Sequence, residues 1–238
     1  MDDDSQNRLN ENWNAVLSDV HQAATDAGRD PNSVTVIGVT KYVDAEITAM
    51  LVDAGCDNLG ENRPQVLWQK AEILSLDDSV QWHVIGNLQR NKTRRTLRHR
   101  PVIHSVDSEK LLTTIAQESS AAGITTDVLL EVNASGDESK TGMTPDELRV
   151  VLGTMPSDSV RVIGIMAMAG WDTDSSAAQS QFSETRELRD TLATEFGLEL
   201  PHLSMGMSGD FAEAIAEGAT MVRIGSRLFE GVTDIGHG

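Results

Sequence analysis

Lys41 is the residue with the clearest chemical potential, because it directly follows the apolar run 34–40. That run predicts a buried strand, and a lysine at its end would be partly desolvated. Desolvation favours the neutral amine, which can attack a carbonyl carbon. Taken alone, the better interpretation of Lys41 is an exposed lysine at a strand end, so a chemical role needs support from other parts of the chain.

Two turns near the C-terminus combine glycine with serine and could bind a phosphate. They are Gly206-Met207-Ser208-Gly209 and Gly225-Ser226. Glycine lets backbone N–H groups approach a phosphate oxygen, and the two serines add hydroxyl donors. Each turn alone would more often be a plain turn. Together with Lys41 they predict a site with phosphate donors at one end and an aldehyde-reactive amine at the other.

Eight short apolar runs alternate with amphipathic stretches and predict eight strands, each followed by a helix. The strands are predicted at 34–40, 57–60, 82–86, 102–105, 127–132, 160–166, 202–204 and 221–224. The helical stretches are 44–54, 63–74, 88–98, 108–122, 144–154, 176–196 and 210–217, with an extra amphipathic helix at 6–28 before the first strand.

This order predicts an α/β fold, a single (β/α)8 TIM-type barrel. An open doubly wound sheet is the alternative, but no glycine-rich dinucleotide turn follows the first strand. The active site of such a barrel forms at the carboxyl ends of the strands, and the loops after strands 7 and 8 often bind phosphate. The barrel would therefore bring Lys41 and the two glycine-serine turns to the same end.

Composition and charge exclude several classes of protein. The net charge of −18 over 238 residues argues against nucleic-acid binding. No apolar run reaches the roughly 18 residues of a membrane helix, and the N-terminus Met1-Asp2-Asp3-Asp4 is unlike a secretory signal. Cys56 is the single cysteine, so we expect a core residue and a cytoplasmic protein. No grouping of His, Asp and Glu has metal-ligand spacing, and no metal is expected.

Longer segments of the chain resemble the YggS/PROSC family, the pyridoxal phosphate homeostasis proteins, which are related to the barrel domain of alanine racemase. The matching segments are Val39-Thr40-Lys41, Gly60-Glu61-Asn62-Arg63, 82–92, 104–108, Val132-Asn133, 135–142, 164–169, 203–208 and 221–225. Matches of this kind run from residue 28 to residue 229. One departure follows Leu228-Phe229, where many relatives continue with Gly-x-Arg and this chain reads Glu230-Gly231-Val232.

The resemblance implies a barrel of the alanine racemase N-terminal type (PLP fold type III) that binds pyridoxal 5′-phosphate (PLP). It implies one domain over 1–238, with 1–30 as a helix packed on the barrel. By resemblance, seven residues would bind the cofactor: Lys41 as a covalent Schiff base, Ser208, Gly225 and Ser226 at the phosphate, Asn62 near the phenolic oxygen, Met166 against the ring and Arg223 at the pyridine nitrogen.

The implied position of Arg223 has a chemical consequence. A permanently charged guanidinium cannot accept a proton, so it disfavours the pyridinium form and weakens the cofactor as an electron sink. An ordinary ion-pair residue at the barrel rim is the alternative role for Arg223.

Two functions of different class are open: a PLP carrier and an amino-acid racemase. Racemisation needs an acid or base on each face of the α-carbon. In alanine racemases a tyrosine from a second domain of the partner subunit supplies one of them. Here the sequence stops soon after the eighth strand, and its only tyrosine, Tyr42, adjoins Lys41. We therefore expect a non-catalytic protein, with no catalytic residues, that buffers PLP and delivers it to apo-enzymes in vitamin B6 and amino-acid homeostasis. A monomer is expected, because the domain that makes the racemases dimeric is missing.

Three features have more than one interpretation. His83 is expected to be a structural histidine at the barrel rim, with a catalytic base as the alternative. Lys140 is either a solvated loop lysine or a transient contact of PLP. The basic run Arg90–Arg100 predicts a solvated helix face, with a docking face for an anion or a partner protein as the alternative.

Overall fold

The computed structural model describes residues 3–133, 141–154, 158–170 and 174–233, and its centre is a closed parallel barrel. Eight strands pair in chain order, and the last strand closes on the first. They are β1 (Thr35–Val39), β2 (Asn58–Glu61), β3 (Gln81–Val84), β4 (Val102–Val106), β5 (Thr126–Glu131), β6 (Val160–Met166), β7 (His202–Met207) and β8 (Met221–Ile224). The predicted barrel is confirmed, and each strand lies within three residues of its predicted bounds.

Helices cover the outside of the barrel. They are α1 (Asp3–Asp26), α2 (Ala45–Asp53), α3 (Pro64–Leu74), α4 (Thr93–Thr96), α5 (Glu109–Ala122), α6 (Pro145–Gly153), α7 (Ser175–Phe196) and α8 (Phe211–Ala216). Short polar side chains begin several of them, since Asp44, Ser108, Thr144 and Asp174 each accept a hydrogen bond from a first-turn N–H group. Gly123 and Gly197 end α5 and α7 in the left-handed conformation.

The predicted helix at 88–98 is wrong in its length. That segment holds a 3-10 turn at Arg90–Lys92, the single α-helical turn of α4, and a second 3-10 turn at Leu97–His99. Two β-branched threonines, Thr93 and Thr96, occupy the middle of the segment, and Pro101 lies shortly after its end. Threonine is a weak helix former and proline cannot extend a helix, so the segment forms short turns instead of one helix.

The N-terminal helix α1 packs against α8 and the 3-10 turn Ser226–Phe229 after β8. Its buried face consists of Leu9, Trp13, Val16, Val20 and Ala24. The Asn12 amide donates to the carbonyl oxygens of Leu228 and Glu230, at 3.0 and 2.9 Å. An ion pair joins Arg227 to Asp19. These contacts tie α1 to the segment that directly follows the predicted phosphate turn.

Most of the apolar core lies between the strands and the helices that surround them. Cys56 belongs to this layer, and burial raises the pKa of its thiol to about 12, which keeps the sulfur protonated. A smaller buried cluster of Leu129, Ile163 and Met166 is separate from that layer. Within the described residues, no helix combines the length and the apolarity that crossing a bilayer requires.

Candidate functional site at the barrel mouth

The seven predicted cofactor residues lie at or near the carboxyl ends of five successive strands around the barrel: β6, β7, β8, β1 and β2. The strand pairing shows why Lys41 lies between the phosphate turns and Asn62 in this arc. Gly38 of β1 pairs with Ile224 of β8, so the chain after β1 runs beside Gly225 and Ser226. On the other side, the Thr40 amide donates to the Gly60 carbonyl of β2 at 3.0 Å. Sequence positions far apart therefore meet at one mouth, as predicted.

Lys41 itself is exposed, in a turn that follows β1. The expectation that it is partly desolvated is therefore wrong for this structure. The physical reason is that β1 ends at Val39, so the buried environment of the strand stops before Lys41 is reached. Its Nζ lies 4.6 Å from the ring centroid of Tyr42, which is 57% exposed. The amine is open to a ligand from solvent, with an aromatic ring beside it.

A buried polar triad fixes the backbone directly before Lys41. The Thr40 hydroxyl donates to Glu61 Oε1 at 2.6 Å, and Lys70 Nζ donates to the same oxygen at 2.5 Å. Lys70 also donates to the Thr40 carbonyl at 2.7 Å. Glu61 is fully buried and Lys70 is 4% exposed. Burial lowers the pKa of Lys70, although the Glu61 carboxylate acts in the opposite direction.

The predicted phosphate end is built by the turns after β7 and β8. The Ser208 hydroxyl accepts a hydrogen bond from the Gly225 amide at 3.3 Å, so the two turns touch. Gly206 has a φ of +91°, and a Cβ there would lie 2.6 Å from the Cβ of Ala214. Only glycine fits this bend without strain. Asp210 stabilises the same turn by accepting from the Met207 amide at 2.6 Å.

Arg223 is buried in β8 and is held by three hydrogen bonds. Nη1 donates to the Ser204 carbonyl and to the Ser204 hydroxyl, both at 2.7 Å, and Nη2 donates to the Ala167 carbonyl at 2.9 Å. Burial lowers the pKa of Arg223 to about 10, although Asp210 and Glu131 act in the opposite direction. The group is therefore a charged, immobile donor at neutral pH. Its partners are interior groups instead of the exposed carboxylates of a rim ion pair.

Asn62 and Met166 occupy different depths of the mouth. Asn62 is half-buried after β2, and Gly86 after β3 packs against it so closely that a Cβ at Gly86 would lie 2.4 Å from the Asn62 carbonyl oxygen. Met166 is 1% exposed and packs with Leu129 and Ile163. It forms part of the floor below the mouth, whereas Met168 and Met207 are exposed beside it.

Four interior residues extend from Arg223 and were not predicted as part of the site. Ser204 Oγ lies 2.8 Å from His104 Nδ1, and His104 Nε2 lies 2.8 Å from His83 Nδ1. His83 Nε2 lies 2.9 Å from Asn58 Oδ1. His83 is a satisfied structural residue, but its expected place at the rim is wrong, because its ring is buried inside the barrel. The Ser-Met-Gly motif contains Ser204, yet nothing in its spacing relates it to His104.

Glu131, at the end of β5, is a second buried carboxyl group near the mouth. The Thr141 hydroxyl donates to its Oε1 at 2.6 Å. Burial raises the pKa of Glu131, opposed by that hydrogen bond. Across the described residues, no three side chains among His, Cys, Asp and Glu are grouped so as to hold a metal ion.

The basic run has intramolecular partners at two of its positions. Arg94 pairs with Glu118 at 2.8 Å, and Arg95 pairs with Glu72 at 3.0 Å. The Arg95 guanidinium also lies 4.4 Å from the ring centroid of Trp68. A cavity of about 480 Å³ lies between this run and Asn62, lined by Arg63, Gln65, Asn87, Gln89 and Lys92 among others. Lys140 lies outside the described residues.

Comparisons with known proteins agree with the fold. Residues 17–232 match the family model described as alanine racemase, N-terminal domain. A relative from Aquifex aeolicus named pyridoxal phosphate homeostasis protein is 39% identical over 220 residues, which cover 92% of this chain and 96% of the relative. An unknown protein from Bifidobacterium adolescentis has a crystal structure similar to this one, with a TM-score of 0.90 and 35% identity over 96% of this chain and 97% of that chain. PipY of Synechococcus elongatus, solved with PLP bound, gives a TM-score of 0.80 and 32% identity over 88% of this chain and 99% of PipY.

Proposed function

The chain belongs to the family of pyridoxal phosphate homeostasis proteins, and we propose that it binds PLP covalently on Lys41 and serves to buffer and deliver the cofactor. One observation carries the proposal. The exposed Lys41 amine and the touching turns of Ser208 and Gly225 lie at the ends of adjacent strands in one barrel mouth. An aldehyde-reactive amine beside a set of phosphate donors matches the two reactive ends of PLP.

The residues present fit the cofactor by the chemistry of their donors. Ser208, Ser226 and the Gly225 amide would hold the phosphate, and the positive φ of Gly206 keeps side-chain atoms out of the bend that precedes Ser208. Asn62 would lie beside the phenolic oxygen, and Met166 would support the ring from below. When bound, PLP supplies an aldehyde for the lysine amine and a conjugated ring that can accept electrons.

A carrier role is favoured over racemisation by the chemistry of Arg223. Three hydrogen bonds hold it in place and it keeps its charge, so beside the pyridine nitrogen it would act as a donor that cannot take up a proton, and that nitrogen would stay unprotonated. The ring would then be a weak electron sink, which would disfavour abstraction of an α-proton. Of the described residues, Tyr42 is the one tyrosine, and it stands on the same turn as Lys41 instead of on an opposing face.

A titration tests the binding half of the proposal. Purified protein is titrated with PLP and followed by absorption, with Lys41→Ala as the variant and Lys110→Ala as the matched control, because Lys110 is an exposed lysine on α5. We expect one PLP per chain for the wild type and for Lys110→Ala, with no covalent species for Lys41→Ala. An unchanged covalent spectrum in Lys41→Ala would contradict the assignment.

A transfer assay tests delivery. Protein loaded with PLP is mixed with an apo-enzyme that needs PLP, in the presence of a scavenger of free PLP. Activation of the apo-enzyme despite the scavenger is the expected result, and its abolition would mean simple release.

Racemase activity is the alternative that remains to be tested. The loaded protein is incubated with single enantiomers of common amino acids, and the enantiomeric ratio is followed by chiral chromatography. Turnover at the typical enzymatic rate of about 1–10³ per second would contradict the carrier proposal.

A further inference from the structure

A continuous line of hydrogen bonds runs from Arg223 through the barrel interior to Asn58. We call its four members beyond Arg223, namely Ser204, His104, His83 and Asn58, the interior chain. The link between Ser204 and His104 joins β7 to β4, which are not neighbours in the barrel, so it passes through the interior. The other links join neighbouring strands, at 2.7 Å from Arg223 to Ser204, 2.8 Å between the histidines and 2.9 Å from His83 to Asn58.

The Asn58 end determines the direction in which the histidine links are donated. The Asn58 amide nitrogen donates to Asp57 Oδ1 at 2.6 Å, so the amide oxygen is the atom that faces His83. An amide oxygen only accepts, and His83 must therefore carry its proton on Nε2. A neutral His83 then has a bare Nδ1, which accepts from Nε2–H of His104. His104 in turn has a bare Nδ1.

The Arg223 end gives the same direction independently. Arginine only donates, so Ser204 Oγ accepts from Arg223. The Ser204 proton can then be donated to the bare Nδ1 of His104 at 2.8 Å. In the reverse direction, Arg223 and a protonated Nδ1 of His104 would both donate to Ser204, and neither could accept the Ser204 proton. Both ends thus require one direction, with every link donated from Arg223 towards Asn58.

Both histidines are neutral in this arrangement, and their surroundings agree. Burial lowers the pKa of His83 to about 3. Burial, followed by the nearby His83, Arg223 and His202, lowers the pKa of His104 well below its ordinary value. The titratable groups that face Arg223 from other strands and loops are Glu131 and Asp210. A neutral chain has no proton to gain or lose near pH 7, so its direction is stable.

The interior chain is not the usual filling of such a barrel. Barrel interiors are mostly packed with apolar side chains, as Leu129, Ile163 and Met166 are here. Burying polar groups costs free energy unless each is hydrogen-bonded, and a partly satisfied network is worse than an apolar core. The four polar residues of the interior chain can be accommodated inside the barrel because each of them makes its hydrogen bonds to its neighbours in the chain.

We propose that the interior chain is a positioning device that holds the Arg223 guanidinium towards the pyridine nitrogen of bound PLP and so keeps that nitrogen unprotonated. Ser204 contacts Arg223 directly. The positioning residues His104, His83 and Asn58 act on Arg223 through Ser204. The role at the cofactor rests on the proposed function, but the direction of the chain is a property of the protein without PLP.

The first experiment measures that direction in the apo-protein. Nitrogen-15 NMR of the histidine rings is expected to show His83 and His104 as neutral Nε2–H tautomers at pH 7. In Asn58→Leu, which removes the terminal acceptor at a half-buried position, we expect both rings to keep the Nε2–H tautomer, because the Arg223 end fixes the same direction independently. A protonated ring in the wild type, or an Nδ1–H tautomer in the wild type or in Asn58→Leu, would overturn the one-way chain.

The second experiment measures the effect on the cofactor with PLP that carries nitrogen-15 in its pyridine ring. We expect an unprotonated nitrogen in the wild type and a shifted resonance in His104→Phe, which keeps a ring of similar size but loses both hydrogen bonds. PLP binding should also weaken roughly tenfold, as for the loss of about one buried hydrogen bond. His21→Phe is the matched control, because His21 lies on the outer helix α1, away from the barrel interior.

The outcomes separate the two proposals. If PLP does not bind to any of these proteins, the proposed function fails, while the apo-protein tautomers still decide the one-way chain. If PLP binds and the pyridine resonance is the same in His104→Phe and the wild type, the positioning role is wrong and the carrier proposal is unaffected.

Discussion

Lowering the pH should reduce the free energy of unfolding of the wild type, and the substitution His104→Phe should make this loss smaller. The reason is that the wild type buries two neutral histidines and the variant buries one. The perturbation is a change from pH 6 to pH 5 in the wild type and in His104→Phe. In the folded protein both histidines of the interior chain stay neutral over this range, because burial lowers the pKa of His83 to about 3 and that of His104 well below its ordinary value. In the unfolded chain both return to an ordinary pKa near 6.5.

The sign and size of the effect follow from proton linkage. Below pH 6.5 the unfolded chain binds protons that the folded chain does not, so the free energy of unfolding falls as the pH falls. For one histidine with an unfolded pKa of 6.5, the loss between pH 6 and pH 5 is about 1.2 kcal/mol. The two histidines together contribute about 2.4 kcal/mol.

Urea unfolding at the two pH values measures this loss. Other groups also change stability over the range, since Glu131 and Asp210 have raised pKa values and act with the opposite sign, but they are common to both proteins. The wild type should lose about 1.2 kcal/mol more than His104→Phe between pH 6 and pH 5. Equal losses would mean that His104 takes up a proton in the folded state, which would refute the neutral chain.

Three further substitutions test the mouth of the barrel. Lys70→Met should lower the free energy of unfolding by about 3–5 kcal/mol, because it leaves the buried Glu61 unpaired. Calorimetry should show that Lys70→Met/Glu61→Leu recovers most of this loss; if the effects of the two substitutions simply added, the ion pair would not explain the loss. Ser208→Ala should weaken PLP binding by roughly 10- to 100-fold, because it removes a hydroxyl donor to a charged phosphate. Ser120→Ala, at an exposed serine, is the control, and equal dissociation constants for Ser208→Ala and the wild type would mean that Ser208 does not bind PLP. Gly206→Ala should lower the free energy of unfolding in urea by about 1–3 kcal/mol, because Gly206 has a φ of +91° and an added Cβ would meet Ala214. An unchanged free energy of unfolding would mean that the turn can relax around the added methyl group.

The barrel could be predicted from sequence because its signals are local. Each strand is a short apolar run such as 160–166, each is followed by an amphipathic stretch, and the strand order follows the chain. The helix at 88–98 was predicted wrongly because its amphipathic pattern suited a helix, while Thr93, Thr96 and the following Pro101 favoured separate turns. The basic run still has its predicted solvated character at Arg94 and Arg95, which pair with carboxylates of neighbouring helices.

The sequence predicts which residues of the site follow a strand, but not the contacts inside the barrel. Lys41 and Ser208 follow strands, and the rule that parallel strands present their carboxyl ends at one mouth brings them together. The interior chain could not be predicted, because His104 and Ser204 are one hundred residues apart and their contact joins two strands that are not neighbours in the barrel. The exposure of Lys41 depends on where β1 ends, and residue types do not determine that boundary to one residue.

Borohydride reduction tests whether PLP is attached covalently to Lys41. The protein is loaded with PLP, reduced with borohydride, digested, and mapped by mass spectrometry, with Lys41→Ala and Lys110→Ala treated in parallel. We expect a single pyridoxyl-modified peptide that contains Lys41 in the wild type and in Lys110→Ala, and no such adduct in Lys41→Ala. The same amount of adduct in Lys41→Ala, or an adduct at another lysine of the wild type in place of Lys41, would contradict this expectation.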